Sequence, residues 1–225
     1  YLEQARNPEN AARKFELYQL AATKFEEFLT TFPFGADYDL YEWYYALSLF
    51  ESHQFATAEK AYTQILKNDR SPFRDGARFQ VMKCREQLLL AKFGKIDAVP
   101  ATATVERVVT TPYNKQVTVY AVSDEHKSFI AAADDLVARE FSDPEWAKAL
   151  EADRGALVYL PAQVYYLHGH YEEARARFDK LFAAFPNTDE AVYASSYYVN
   201  TYTYEGNLEA VRTYITKFRT MNLGK

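Results

Sequence analysis

The sequence predicts an all-α fold of stacked helical hairpins, a solenoid interrupted once by an insert of different character. Three observations lead there. Apolar residues recur at spacings of three and four along most of the chain, as on one face of a helix, and Ala174, Phe178 and Leu181 form the clearest run. A small residue recurs where two short helices must cross, at Ala46 and Ala58 and again at Ala162 and Ala174. The pattern also repeats, since Ala21 and Ala58, like Ala174 and Val211, stand 37 residues apart. One such hairpin cannot bury its own apolar face, so each demands a neighbour. Composition agrees: 19 Tyr and 16 Phe against only 7 Gly favour helix-on-helix packing over a turn-rich β fold.

Taken in order, Tyr1–Arg6 reads as the tail of a helix. Asn7-Pro8 is a restart signal, with Asn7 capping and Pro8 at the first helical position. A helix is expected from Pro8 to Thr31, burying Ala11, Phe15, Tyr18, Ala21, Phe25 and Phe28, until Phe32-Pro33 stops it. The first full hairpin spans Tyr41–Asp69, with His53 at its turn and Ala46, Leu49, Phe55, Ala58, Tyr62 and Ile65 at its contacts. Phe73–Gly94 follows as a helix carrying Ala77, Val81, Cys84 and Leu88 inward.

Lys95–Val122 departs from the pattern. It is rich in Thr and Val, and residues 116–120 alternate with period two. Two readings stay open: a β-hairpin of Thr104–Thr110 with Gln116–Val122 around Pro112-Tyr113-Asn114, or a long extended insert. Helical sequence resumes at Ser123-Asp124-Glu125, and Phe129, Ile130, Ala133, Leu136, Val137 and Phe141 make its apolar side. This segment takes the place of the missing second helix of the third unit. Another helix begins at Pro144 and leads into the best-formed hairpin, Ala156–Pro186, which turns at Gly169 and ends at Phe185-Pro186. Pro161 inside it should kink its first helix or mark that helix's true start. Thr188–Phe218 is the last hairpin, turning at Gly206, and Met221–Lys225 reads as a frayed end. The organisation expected is helical units over 1–94, the insert over 95–122, and helical units over 123–225.

These motifs resemble the tetratricopeptide (TPR) repeat family: Tyr45-Ala46, Phe55 and Ala58; then Ala162, Tyr165, Gly169-His170-Tyr171, Ala174 and Pro186; then Gly206-Asn207-Leu208. The aromatic-Pro stops, FLTTFP and LFAAFP, are similar to those of bacterial envelope TPR proteins, including outer-membrane assembly lipoproteins. The order of the C-terminal motifs is also similar to TPR lipoproteins of myxobacterial gliding-motility machinery. The resemblance implies a non-catalytic scaffold in the periplasm or at the periplasmic face of the outer membrane, with a cytoplasmic location left open. The family's clamp for C-terminal carboxylates needs Lys, Arg and Asn on groove-facing sides of first helices. Those sides here offer Trp43, Leu47 and Phe50; Tyr159, Gln163 and Tyr166; and Tyr193, Ser196 and Asn200, with Tyr204 beyond them. The cations are missing. An aromatic surface suits an apolar or amphipathic protein segment instead.

The net charge of −5 argues against nucleic acid or an anionic membrane as the main partner. No run of 18 apolar residues exists to span a bilayer. The chain starts at Tyr1 without Met, as a mature product or excised fragment would, with any lipid-anchor cysteine outside it. Cys84, the single cysteine, lies on an apolar stripe and reads as an inert buried thiol. His168-Gly169-His170 lacks a third ligand at useful spacing and reads as surface turn residues, His53 as a turn and His126 as a helix-start cap. Adjacent acids such as Asp134-Asp135 and Glu172-Glu173 point to different helix faces. No phosphate loop, nucleophile elbow or zinc motif appears. Hence no catalytic residue, cofactor or metal is expected. The expected function is a protein-protein scaffold, against two rivals: a self-associating building block or homo-oligomer, and an accessory domain of a larger enzyme.

Overall fold

A computed structural model of the chain describes residues 1–33, 35 and 37–224. The described residues are mostly helical and form two compact units, Tyr1–Ala91 with Glu140–Ala147, and Lys92–Arg139 with Lys148–Lys225.

In the first unit, α1 (Leu2–Arg6) leads to α2 (Lys14–Thr31), α3 (Tyr38–Glu51), α4 (Phe55–Ile65) and α5 (Arg74–Phe93), whose last two residues belong to the second unit. Helices α2 and α3 pack together, as do α3 and α4. Ala46 and Ala58, both fully buried, sit at the contact, and Ala22, Leu49, Tyr62, Ile65, Ala77 and Cys84 complete the core. A small side chain at each crossing lets the backbones approach while larger neighbours interlock around it. His53 holds the α3–α4 turn at φ 57°, the left-handed conformation that the next hairpins give to glycine. Phe28 meets Tyr41 at 4.6 Å between ring centroids.

The expected single helix from Pro8 is two pieces. Asn7 caps as read, accepting from Glu9 N at 3.0 Å, but Pro8–Arg13 is a 3₁₀ turn with a break at Asn10 (φ −99°, ψ 16°). Asn10 donates through its side chain to Gln4 O at 3.0 Å, which ties it to the end of α1 and competes with a continued α-helix. Through Pro8–Arg13 and into the first turn of α2 the predicted stripe is therefore out of phase. Ala11 is exposed and Phe15 is 48 % exposed, whereas Tyr18 and Ala21 are buried. In α5 the stripe likewise ends on buried Leu89, leaving Leu88 half-buried.

The second unit holds β1 (Val105–Thr110), β2 (Gln116–Tyr120), α6 (Asp124–Val137), most of α7 (Pro144–Leu167), α8 (Tyr171–Ala184), α9 (Asp189–Glu205) and α10 (Leu208–Thr220). Its core joins Val158, Ala162 and Tyr166 of α7 to Ala174, Phe178 and Leu181 of α8 and to Ala191, Ala194 and Tyr198 of α9. Ser123, Thr188 and Asn207 cap α6, α9 and α10 through side-chain oxygens. Helix α6 stops at Val137, short of the expected Phe141. Helix α7 runs through Pro161, whose ring is buried, so this proline does not mark the helix start. On α10 no residue is fully buried, and Leu208 at the template position is 63 % exposed. The end is not frayed as far as Gly224: its N–H donates to Pro186 O at 2.9 Å, and Met221 and Leu223 pack on the core. Lys225 lies outside the described residues.

Of the two readings of the insert, the hairpin holds. β1 and β2 pair antiparallel with an irregularity between Val105 and Arg107, and Asn114 (φ 58°) makes the turn. The far edge of β2 is covered by the α7–α8 turn, where Tyr120 N donates to His168 O at 2.8 Å and His170 Nε2 donates to Tyr120 O at 2.9 Å. Gly169 (φ +80°) makes that approach possible, since a Cβ there would lie 2.3 Å from Thr118 O. Thr111 Oγ also donates to Glu205 O at 2.7 Å, fastening the hairpin to the end of α9.

Candidate partner-binding face

Seven of the ten residues read as groove-facing lie in the second unit, exposed Ser196 of α9 among them, and the structure brings most of them together. Tyr159, Gln163 and Tyr166 follow one another on α7 at steps of four and three. Tyr193, Asn200 and Tyr204 take one side of α9, with Tyr197 between them at the same spacing. The two rows meet. Tyr197 lies 4.7 Å from Tyr166 and 6.3 Å from Tyr159 between ring centroids, and Gln163 Nε2 donates to its hydroxyl at 3.3 Å. Tyr204 lies 6.3 Å from Tyr166 and stacks on Tyr171 at 5.9 Å.

The face is graded from wet to dry. Tyr193 is 61 % and Tyr204 53 % exposed, Asn200 is exposed, Tyr159 and Gln163 are half-buried, and Tyr166 is buried. Tyr166 therefore supports Tyr197 and Tyr204 from beneath. Burial raises the Tyr159 and Tyr166 phenols well above their ordinary range, helped by Tyr197 and Tyr204 respectively. Tyr171 is pushed up to about 12, again chiefly by burial. These hydroxyls stay neutral at physiological pH, so they act as hydrogen-bonding tips on apolar rings. None of the seven side chains carries a charge. The arginines nearby are engaged: Arg175 bonds Thr201 and Glu205, and Arg177 grips Asp134 with two bonds of 2.7 and 2.9 Å.

Trp43, Leu47 and Phe50 belong to the first unit, and all three are half-buried. The Trp43 ring stacks on Phe73 at 5.5 Å and touches Tyr62 and Trp146. Phe50 meets Phe55 edge-on at 5.3 Å. Tyr197 is the member that groove assignment passed over. Its position four after Tyr193 and three before Asn200 is the signal that finds it.

His53 is an exposed turn residue as expected, but the other histidines are not at the surface. His126 and His168 are fully buried and His170 is 9 % exposed. The hairpin covers the turn that carries His168 and His170, which the sequence alone does not show. His126 caps nothing; Ser123 does, and the His126 ring stacks on Phe93 at 5.0 Å. Cys84 is buried, and burial pushes its thiol up to about 12. Among the described residues no group of three or more His, Cys, Asp or Glu side chains could hold a metal ion. No described helix is long and apolar enough to cross a membrane. Compared with models of known protein families and with curated proteins, the chain matches none.

Proposed function

We propose that the chain is a non-catalytic, tetratricopeptide-like interaction scaffold that holds an apolar or amphipathic protein segment along the tyrosine face of α7 and α9. The observation that carries this reading is the graded face itself: exposed Tyr204 rests on Tyr171 and buried Tyr166, Tyr166 contacts Tyr197, and exposed Tyr193 lies one turn before Tyr197 on α9. Rigid aromatic side chains with a polar tip supply contact area at low entropic cost, which is why they anchor protein interfaces. The neutral face favours an uncharged or amphipathic segment over a free carboxylate. Trp43, Leu47 and Phe50 of the first unit are proposed as an apolar contact of that unit by itself. The punctuation shared with envelope TPR lipoproteins supports a bacterial periplasmic or outer-membrane setting, including outer-membrane assembly or gliding-motility complexes.

The test is capture of partners from an envelope fraction by the wild-type chain and by Tyr193→Ala/Tyr204→Ala. Both side chains are more than half exposed, so the double variant should keep its helical circular dichroism and melting temperature while losing the partner. Equal capture by the folded variant would move the interface off this face.

A further inference from the structure

The hairpin leaves one edge open. β2 is bonded to β1 on one side and to the α7–α8 turn on the other, while all six residues of β1 are exposed. Val105 is 50 %, Val108 54 % and Val109 39 % exposed. An apolar, uncovered strand edge is a template for another strand.

The ladder shows which groups the edge presents. Thr104 O accepts from Ala121 N, and Thr111 N donates to Lys115 O, both at 2.8 Å, so Thr104 and Thr111 bond inward. Counting back from Thr111, Val109 and Arg107 also bond inward, and Val108 and Thr110 turn their backbone groups outward. The irregularity between Val105 and Arg107 takes up one residue, Glu106. It leaves Val105 outward as well, paired with Tyr120, whose own N–H points away from β1 to His168. The bulge thus puts Val105 and Val108 in the same state although they are three apart. Arg107 and Val109, with Val117 and Val119, instead line the cleft beside Gly169–Glu173. Glu106 lies on that side too, with Oε2 3.8 Å from His170 Nε2.

Read in both directions, Val105-Glu106-Arg107-Val108 is chemically self-complementary. We propose that β1 is a self-association edge: two copies of the chain pair their β1 strands antiparallel about a two-fold axis. Val105 of each copy stands opposite Val108 of the other, and Glu106 opposite Arg107. The two valine pairs fall on one side of the joined sheet and the two ion pairs on the other. Arg107 already donates to Glu106 of its own chain at 2.6 Å, so the dimer closes four charges of alternating sign into a ring. Because the other edge of β2 is covered, the assembly stops at two copies.

Light scattering across a concentration series tests this. The mass should move from 26.0 kDa toward twice that value and no further. Val108→Pro removes an outward N–H without touching the inner ladder and should leave a monomer. Glu106→Arg and Arg107→Glu, each alone, set like charges opposite one another and should weaken dimerisation roughly tenfold. The double exchange Glu106→Arg/Arg107→Glu should restore it, and since these side chains are exposed it stays informative even if the proline variant misfolds. A mass that stays at one chain overturns the proposal, as does a dimer indifferent to the single charge changes, or capture of a different protein's strand at a β1 that never pairs with itself. Tyr193→Ala/Tyr204→Ala should not alter the dimer, which separates this inference from the partner-binding face.

Discussion

Gly169 decides whether the hairpin can lie against the helical turn. It combines a left-handed φ of +80° with a Cβ position 2.3 Å from Thr118 O, a backbone atom that cannot swing aside. Gly94 shares the left-handed φ, at +76°, but a Cβ there would meet nothing within 4 Å. The pair separates conformational cost from contact cost. Gly94→Ala should lose about 1 kcal/mol, the usual penalty for an L-residue in that conformation. Gly169→Ala must also push β2 away and break the bonds joining Tyr120 to His168 and His170, so a loss of roughly 3 kcal/mol or more is expected. Urea unfolding of both variants checks this, and equal losses would mean that the hairpin is not held at this turn.

Helix α6 meets the α7–α8 turn through two buried histidines, and this junction makes stability depend on pH. His126 and His168 meet at 5.3 Å between ring centroids. His168 Nδ1 donates to Val164 O at 2.8 Å and His126 Nδ1 pairs with Ser123 Oγ at 2.8 Å, and neither buried Nε2 makes a well-formed hydrogen bond among the described residues. Burial lowers His126 to about 4 and lowers His168 as well; Asp97, with Glu125 beside His126, pulls the other way without prevailing. An unfolded histidine titrates near 6.5, so between that pH and about 4 the unfolded chain binds more protons than the folded one. Stability is therefore full above pH 6.5 and falls as the pH drops through this window. His126 alone accounts for roughly 2 kcal/mol between pH 7.5 and 5. Denaturant unfolding at the two pH values should show at least that loss, and His126→Phe should reduce it to the share of His168. The sequence announced the helices that carry these rings, because period-3.6 spacing, Ser123 and Gly169 are local signals. It did not announce their burial, which at the turn of His168 depends on Tyr120 and Thr118 arriving from the hairpin. The same limit applies at the face: Tyr159, Gln163 and Tyr166 were legible as one row on α7. That Tyr197 knits this row to α9 is a fact of tertiary packing.

At the scale of the molecule, each compact unit has its own apolar core, one centred on Ala46, Ala58 and Tyr62 and the other on Ala162, Ala174 and Phe178. Separate cores are expected to lose their structure in separate steps. The sequence supplies a probe for this, because both tryptophans, Trp43 and Trp146, belong to the first unit. Trp43 stacks on Phe73, and Trp146 packs against Phe79 and over Gly76, so their fluorescence reports that core. Ala174 is fully buried where α7, α8 and α9 meet. Ala174→Asp places an unpaired charge there, at a cost of about 3–5 kcal/mol. The substitution should shift an early part of the helical circular dichroism loss to lower denaturant while the tryptophan transition keeps its midpoint. Ala46→Asp should do the reverse, moving the fluorescence transition and sparing the remaining helix signal. An Ala174→Asp variant whose two probes shift together would show that the cores unfold as one cooperative body. One whose melting does not change would mean that Ala174 is not at a helix crossing, and the 37-residue repeat on which the all-α reading was built would be misplaced.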